Sequence, residues 1–131
     1  MHTNNDTNNK KVSNRSKYIN SKRKGKVFEL ECANFLKQFG FDTRRGVQYA
    51  GGFDSPDVVG VPGWHIECKR AKARIALHQA WEQIDRDRNN KMPGMLLWRV
   101  DRGEIHLDIR LSDLENLLQT FNNASKNKGS A

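Results

Sequence analysis

Ser55-Pro56-Asp57-Val58-Val59-Gly60-Val61-Pro62-Gly63-Trp64-His65-Ile66-Glu67-Cys68-Lys69-Arg70 is the stretch on which the arrangement of the whole chain turns. Two short β-rich runs, residues 57–61 and 64–70, are joined through Pro62 and Gly63, so the stretch reads as a β-hairpin. In the second run a period of two sends Trp64, Ile66 and Cys68 to one face and His65, Glu67 and Lys69 to the other. The apolar set faces a core. A two-residue loop closed by Val61 and Trp64 would place Val58 opposite Glu67 and Asp57 opposite Cys68, turning Asp57 toward that core. An L-Pro-Gly pair favours a type II turn, whose twist suits so short a hairpin poorly. A three-residue loop over residues 61–63, or one β-bulge, shifts the register by one and brings Asp57 opposite Glu67 on the face that holds Lys69. We expect the shifted register.

Upstream, a helical stripe begins near Ser21 with Phe28, Cys32, Phe35, Leu36 and Phe39, and Gly40 stops it. Residues 41–48 have β character, and residues 49–53 read as a glycine-containing flexible loop. Downstream, residues 75–89 form a second amphipathic helix with Leu77, Trp81 and Ile84 on one side. Residues 95–100 are a continuous apolar run, as in a strand buried on both faces, and Ile105, Leu107 and Ile109 alternate beside it. Ser112 and Glu115 make a capping box for a last helix whose apolar side is Leu114, Leu117, Leu118 and Phe121. Trp81 and Trp98 are assigned to the core. The order helix, three strands, helix, two strands, helix predicts a mixed α/β sandwich.

The chain has 131 residues, which suits one domain over residues 21–123. Residues 1–20 are too polar to offset the entropy of ordering and read as a disordered basic arm, and residues 124–131 read as a disordered tail. No apolar run could span a bilayer, and residues 1–11 lack the apolar stretch of a secretory leader, so a cytoplasmic protein is expected. The two cysteines and four histidines fall in no zinc-ligand spacing. The formal net charge of +8 favours a polyanionic partner such as nucleic acid.

A Glu-x-Lys triplet alone is an ordinary solvent-facing strand pattern. Its weight here comes from Pro56-Asp57 on the other arm of the hairpin, since two carboxylates from adjacent strands can converge on one hard cation. Pro56-Asp57 followed by Glu67-Cys68-Lys69 resembles the PD-(D/E)XK nuclease motif, and Gly25-x-x-x-Glu29 is similar to the opening helix of archaeal Holliday junction resolvases. The full stretch from Ser55 to Lys69 is similar to small phage junction resolvases. The resemblance covers roughly residues 24–109 and lies in the order of short motifs. It implies a restriction-endonuclease-like mixed β-sheet flanked by helices, Mg²⁺ or Mn²⁺ held by Asp57, Glu67 and the Cys68 backbone carbonyl, Glu29 completing the acidic cluster, and Lys69 acting on the attacking water and the phosphate charge. It also implies a homodimer acting on branched DNA, with Gln83 near the site. Periodicity alone leaves Glu29 and Glu31 open as the helix-one carboxylate. Asp54 competes with Asp57 but lies outside the strand. Lys22, Arg23, Lys24, Arg44, Arg45, Arg70, Lys72 and Arg74 bracket the site as candidate phosphate contacts.

Overall fold

The computed structural model describes residues 4–47, 55–88 and 92–128, with side chains from residue 21 to residue 127 of those segments. The flexible loop expected at residues 49–53, and Asp54, lie outside the described residues. In chain order the elements are α1 (Asn4–Lys37), β1 (Arg44–Arg45), β2 (Val58–Val59), β3 (His65–Ala71), α2 (Leu77–Asp87), β4 (Gly94–Val100), β5 (His106–Asp108), a 3₁₀ turn (Leu111–Asp113) and α3 (Leu114–Lys128). The five strands form one sheet in sequence order. Only β3 and β4 run parallel, and the other neighbours are antiparallel. A parallel pair needs a crossover, which α2 supplies. The protein is thus a mixed α/β sheet flanked by helices.

Both sheet faces are covered. On one, Phe28, Cys32 and Leu36 of α1 and Leu117 and Ala124 of α3 pack on Val58, Ile66, Cys68, Met95 and Leu97. On the other, Ala80 and Ile84 of α2 sit on Leu96, with Trp81 and Trp98 partly buried around them. This second layer changes the surroundings of His65 and Glu67, which are 3% and 2% exposed on a face that the alternation alone leaves open to solvent. The docking of α2 depends on Gly94, where a Cβ would stand 2.6 Å from Ile84 Cγ2 and 3.1 Å from Trp81 Cζ3. We expect Gly94→Ala to destabilise the fold by about 1–3 kcal/mol, the usual range for overpacking a filled core. Urea denaturation with an unchanged midpoint would show that α2 yields freely.

The hairpin adopts the shifted register. Val58 pairs with Ile66, where the tight closure would pair Val58 with Glu67. Gly63 has a φ of 80°, and the Trp64 N–H donates to Val61 O at 3.3 Å, which is the type II turn that Pro62-Gly63 prefers.

Five expectations about the helices and edges are corrected. Helix α1 starts at Asn4, not near residue 21, although side chains before residue 21 lie outside the described residues. Helix α3 continues to Lys128, and Ala124, assigned to the tail, is a core residue only 5% exposed. Ser112 lies inside the 3₁₀ turn, whose start at Arg110 has no side-chain cap, so the capping-box geometry is not formed there. Leu114 and Leu118 are exposed, and α3 buries Leu117, Phe121 and Ala124 instead, at steps of four and three. The β character of residues 41–48 condenses to two paired residues. Phe41 there turns into the core against the Phe121 ring, 4.9 Å between centroids.

Candidate metal centre

Asp57 is 8% exposed, and its Oδ2 accepts the Cys68 backbone N–H at 2.8 Å. The sequence explains this bond. Strand β2 begins only at Val58, so the side chain of Asp57 supplies the acceptor that a longer strand would supply from its backbone. Asp57 also lies close enough to Glu67 for the two carboxyls to share a hydrogen bond when one of them is protonated. Burial, followed by the bond to Glu67 and the Glu67 charge, pushes the Asp57 carboxyl up to about 7, against the opposing Cys68 N–H and Lys69. Burial raises Glu67 as well, while the bond from Asp57 and the Lys69 ammonium pull it back. Both carboxyls are raised, which fits one dyad that holds a single proton between them near neutral pH. Such a pair is a site of concentrated negative charge that a cation can take over from the proton.

Strand β3 places Lys69 two residues beyond Glu67 on the same face, half-buried, with Nζ donating to Gln83 Oε1 of α2 at 2.8 Å. Gln83, which the resemblance places near the site, thus touches Lys69 directly. The two helix-one carboxylates differ in their partners. Glu31 is held by both terminal nitrogens of Arg99, at 2.8 and 2.9 Å. Glu29 instead feels the charge of Asp57, and its carboxyl is raised by desolvation and by that charge, with Arg45 opposing. Arg45 Nε donates to Glu29 Oε2 at 3.0 Å. Glu29 thus belongs to the electrostatic field of the pair, but its own oxygen is taken up by a guanidinium.

The cations that bracket the site in sequence divide by position. Lys22 and Arg45 join Glu29 in one cleft of about 560 Å³. Lys24, Arg70 and Lys72 join Cys68 and Lys69 in another of about 610 Å³. Both clefts are lined by Ser21 and Gly25, so α1 separates them with its smallest side chains. Arg74 lines a third cleft beside Lys69 and Gln83. Arg70 is also paired with Asp101 at 3.2 Å. Arg23 and Arg44 are exposed and line none of these three clefts.

His65 is the site residue that sequence reasoning misses. Its Nε2 lies 2.9 Å from Glu67 Oε1, with both side chains 3% exposed. The alternation puts it on the Glu67 face, and only the absence of a zinc spacing sets it aside.

Among the described residues no group of three or more His, Cys, Asp or Glu side chains is placed to hold a metal ion. Two carboxyls are enough for a magnesium-like cation, which keeps several waters and takes one or two carboxylates from the protein. Asp57 and Glu67, with the Cys68 carbonyl between Glu67 and Lys69 on the same strand, fit that donor set. Among the described residues no helix is long and apolar enough to cross a membrane. No protein family, curated protein or solved structure was found to match the chain.

Proposed function

We propose that the protein is a divalent-metal-dependent DNA endonuclease that hydrolyses phosphodiester bonds, acting on branched DNA as a homodimer. The observation that supports this reading best is the buried Asp57–Glu67 carboxyl pair with Lys69 on the same strand face. Asp57 and Glu67 would hold Mg²⁺ or Mn²⁺, helped by the Cys68 carbonyl, and the bound ion would supply charge at a phosphate oxygen and lower the pKa of a water. Lys69 presents a compact ammonium to the negative charge that develops on the phosphate, and Gln83 holds its Nζ in place. Arg45 compensates Glu29 beside the pair, which limits the repulsion that Glu29 exerts on an approaching phosphate. Lys22, Lys24, Arg70 and Lys72 in the flanking clefts bind backbone phosphates and position the strand without reading bases. Branch preference and the dimer come from the resemblance to junction resolvases, since resolving a junction requires two such sites.

The test is a cleavage assay with Mg²⁺ or Mn²⁺ on a four-way junction, a flap, a linear duplex and a single strand. We expect metal-dependent cutting, strongest on the junction. Tight binding to the junction with no cutting under either ion would instead assign a non-catalytic DNA-binding protein. The cleft cations are testable separately. Lys24→Ala and Lys72→Ala should each lower the slope of log K against log salt by about 0.9 on duplex DNA. An unchanged slope would remove that lysine from the interface.

A further inference from the structure

We propose that His65 is a positioning residue that fixes the Glu67 carboxylate for the cation, an inference that rests on the metal reading of the Asp57–Glu67 pair. Three observations carry it. First, Nε2 of His65 and Oε1 of Glu67 are 2.9 Å apart, and an ionised carboxylate only accepts, so in that state the ring nitrogen is the donor. Second, both side chains are 3% exposed, so water does not compete for this bond. Third, the residue that carries the ring is fixed in the sheet and covered. The His65 backbone N–H donates to Pro93 O at 3.0 Å, and His65 stands next to Gly94 on the parallel neighbour strand, where the absence of a side chain brings Ile84 and Trp81 of α2 down onto this layer.

The consequence follows from what a glutamate does without such a partner. Its three side-chain torsions leave the carboxylate several orientations, and ordering them on metal binding costs affinity. A ring N–H on Oε1 sets the plane of the carboxylate before the cation arrives. Partners of this kind commonly change metal affinity 10–100-fold when removed. Lys69, one pleat further along, is held by Gln83 in the same manner, so both chemistry-bearing side chains of β3 are braced.

The experiment is a calorimetric Mn²⁺ titration of wild type, His65→Gln, His65→Asn and His65→Leu, with thermal melts of each. Glutamine can place an amide N–H where Nε2 stands, whereas the asparagine amide falls short and leucine has no donor. We expect His65→Gln to stay within about threefold of wild-type affinity and His65→Asn and His65→Leu to lose about 10–100-fold. A merely structural histidine would instead give losses that follow the melting temperature and ignore the reach of the donor. Equal Mn²⁺ affinity for folded wild type and folded His65→Asn overturns the positioning role alone. Failure of wild type to take up Mn²⁺ overturns the metal reading itself, and the role of His65 with it. If His65→Leu does not fold, the Gln and Asn pair decides the question.

Discussion

Asp57→Asn and Glu67→Gln are each expected to lower junction cleavage by about a thousandfold or more while leaving junction binding equal to or tighter than wild type. The loss follows from the work assigned to the carboxyl pair. A catalytic cation supplies several kcal/mol of transition-state stabilisation, and each 1.36 kcal/mol is about tenfold in rate. The gain in binding follows from Coulomb's law, because a carboxylate about 4 Å from a phosphate opposes it by roughly 1 to 4 kcal/mol, depending on the local dielectric. Glu67→Gln removes that repulsion and favours tighter binding, whereas Asp57→Asn replaces a carboxyl that titrates only near pH 7 and leaves binding close to wild type. Both isosteres keep the shape of the site. In Asp57→Asn the amide oxygen can still accept the Cys68 N–H, so the hairpin should survive. Single-turnover cleavage and filter binding, done in parallel, separate the two effects. Loss of binding and of folding together would mean that the pair is structural.

The second large effect is on stability against pH. The Asp57 carboxyl, ordinarily near 3.8, is raised to about 7 in the folded chain, and Glu67 and Glu29 are raised as well. A carboxyl with a raised folded pKa binds its proton more tightly in the native state. Its stabilising contribution is therefore complete below about pH 4 and is lost as pH climbs through 7. The Asp57 shift corresponds to a loss on the order of 4 kcal/mol. The metal-free protein should melt progressively lower from about pH 4.5 to about pH 8. Asp85 has the opposite sign, because Arg110 lowers its carboxyl, but its contribution is lost only below this window. Asp57→Asn should flatten the dependence. Near the alkaline end, Mn²⁺ at about 100 times its dissociation constant should return about 2.7 kcal/mol. Melts in chelator and in Mn²⁺, for both proteins, give the comparison. A wild-type melting temperature that rises across the window would contradict the buried dyad.

The order of elements was legible because each segment had a clear period. The step of two in residues 64–70, the apolar run at residues 95–100 and the helical stripe through Phe28, Cys32 and Leu36 all correspond to elements of the fold. The hairpin register was legible from one turn, since Pro62-Gly63 specifies a geometry incompatible with the tight closure. Element ends were less legible. Ala124 reads as tail when its neighbours are polar, and only tertiary packing against the α1 core makes it part of α3. The exposure of Leu114 and Leu118 shows the same limit, because a leucine-rich helix offers several faces and the neighbouring sheet selects one. At the candidate site, Asp57, Glu67 and Lys69 could be placed together from alternation and register. The brace at His65 could not, because nothing in a strand pattern says that α2 will seal that face. Likewise only the partners of the two glutamates, Arg45 for Glu29 and Arg99 for Glu31, separate one from the other.

The claim on which the rest depends is that Asp57 and Glu67 hold one divalent cation between them. Anomalous scattering from crystals of the protein soaked in Mn²⁺ measures this directly. A manganese peak is expected within coordinating distance of both carboxylates and of the Cys68 carbonyl, with Lys69 beside it. Manganese bound elsewhere, or at one carboxylate with the other turned away, would contradict it.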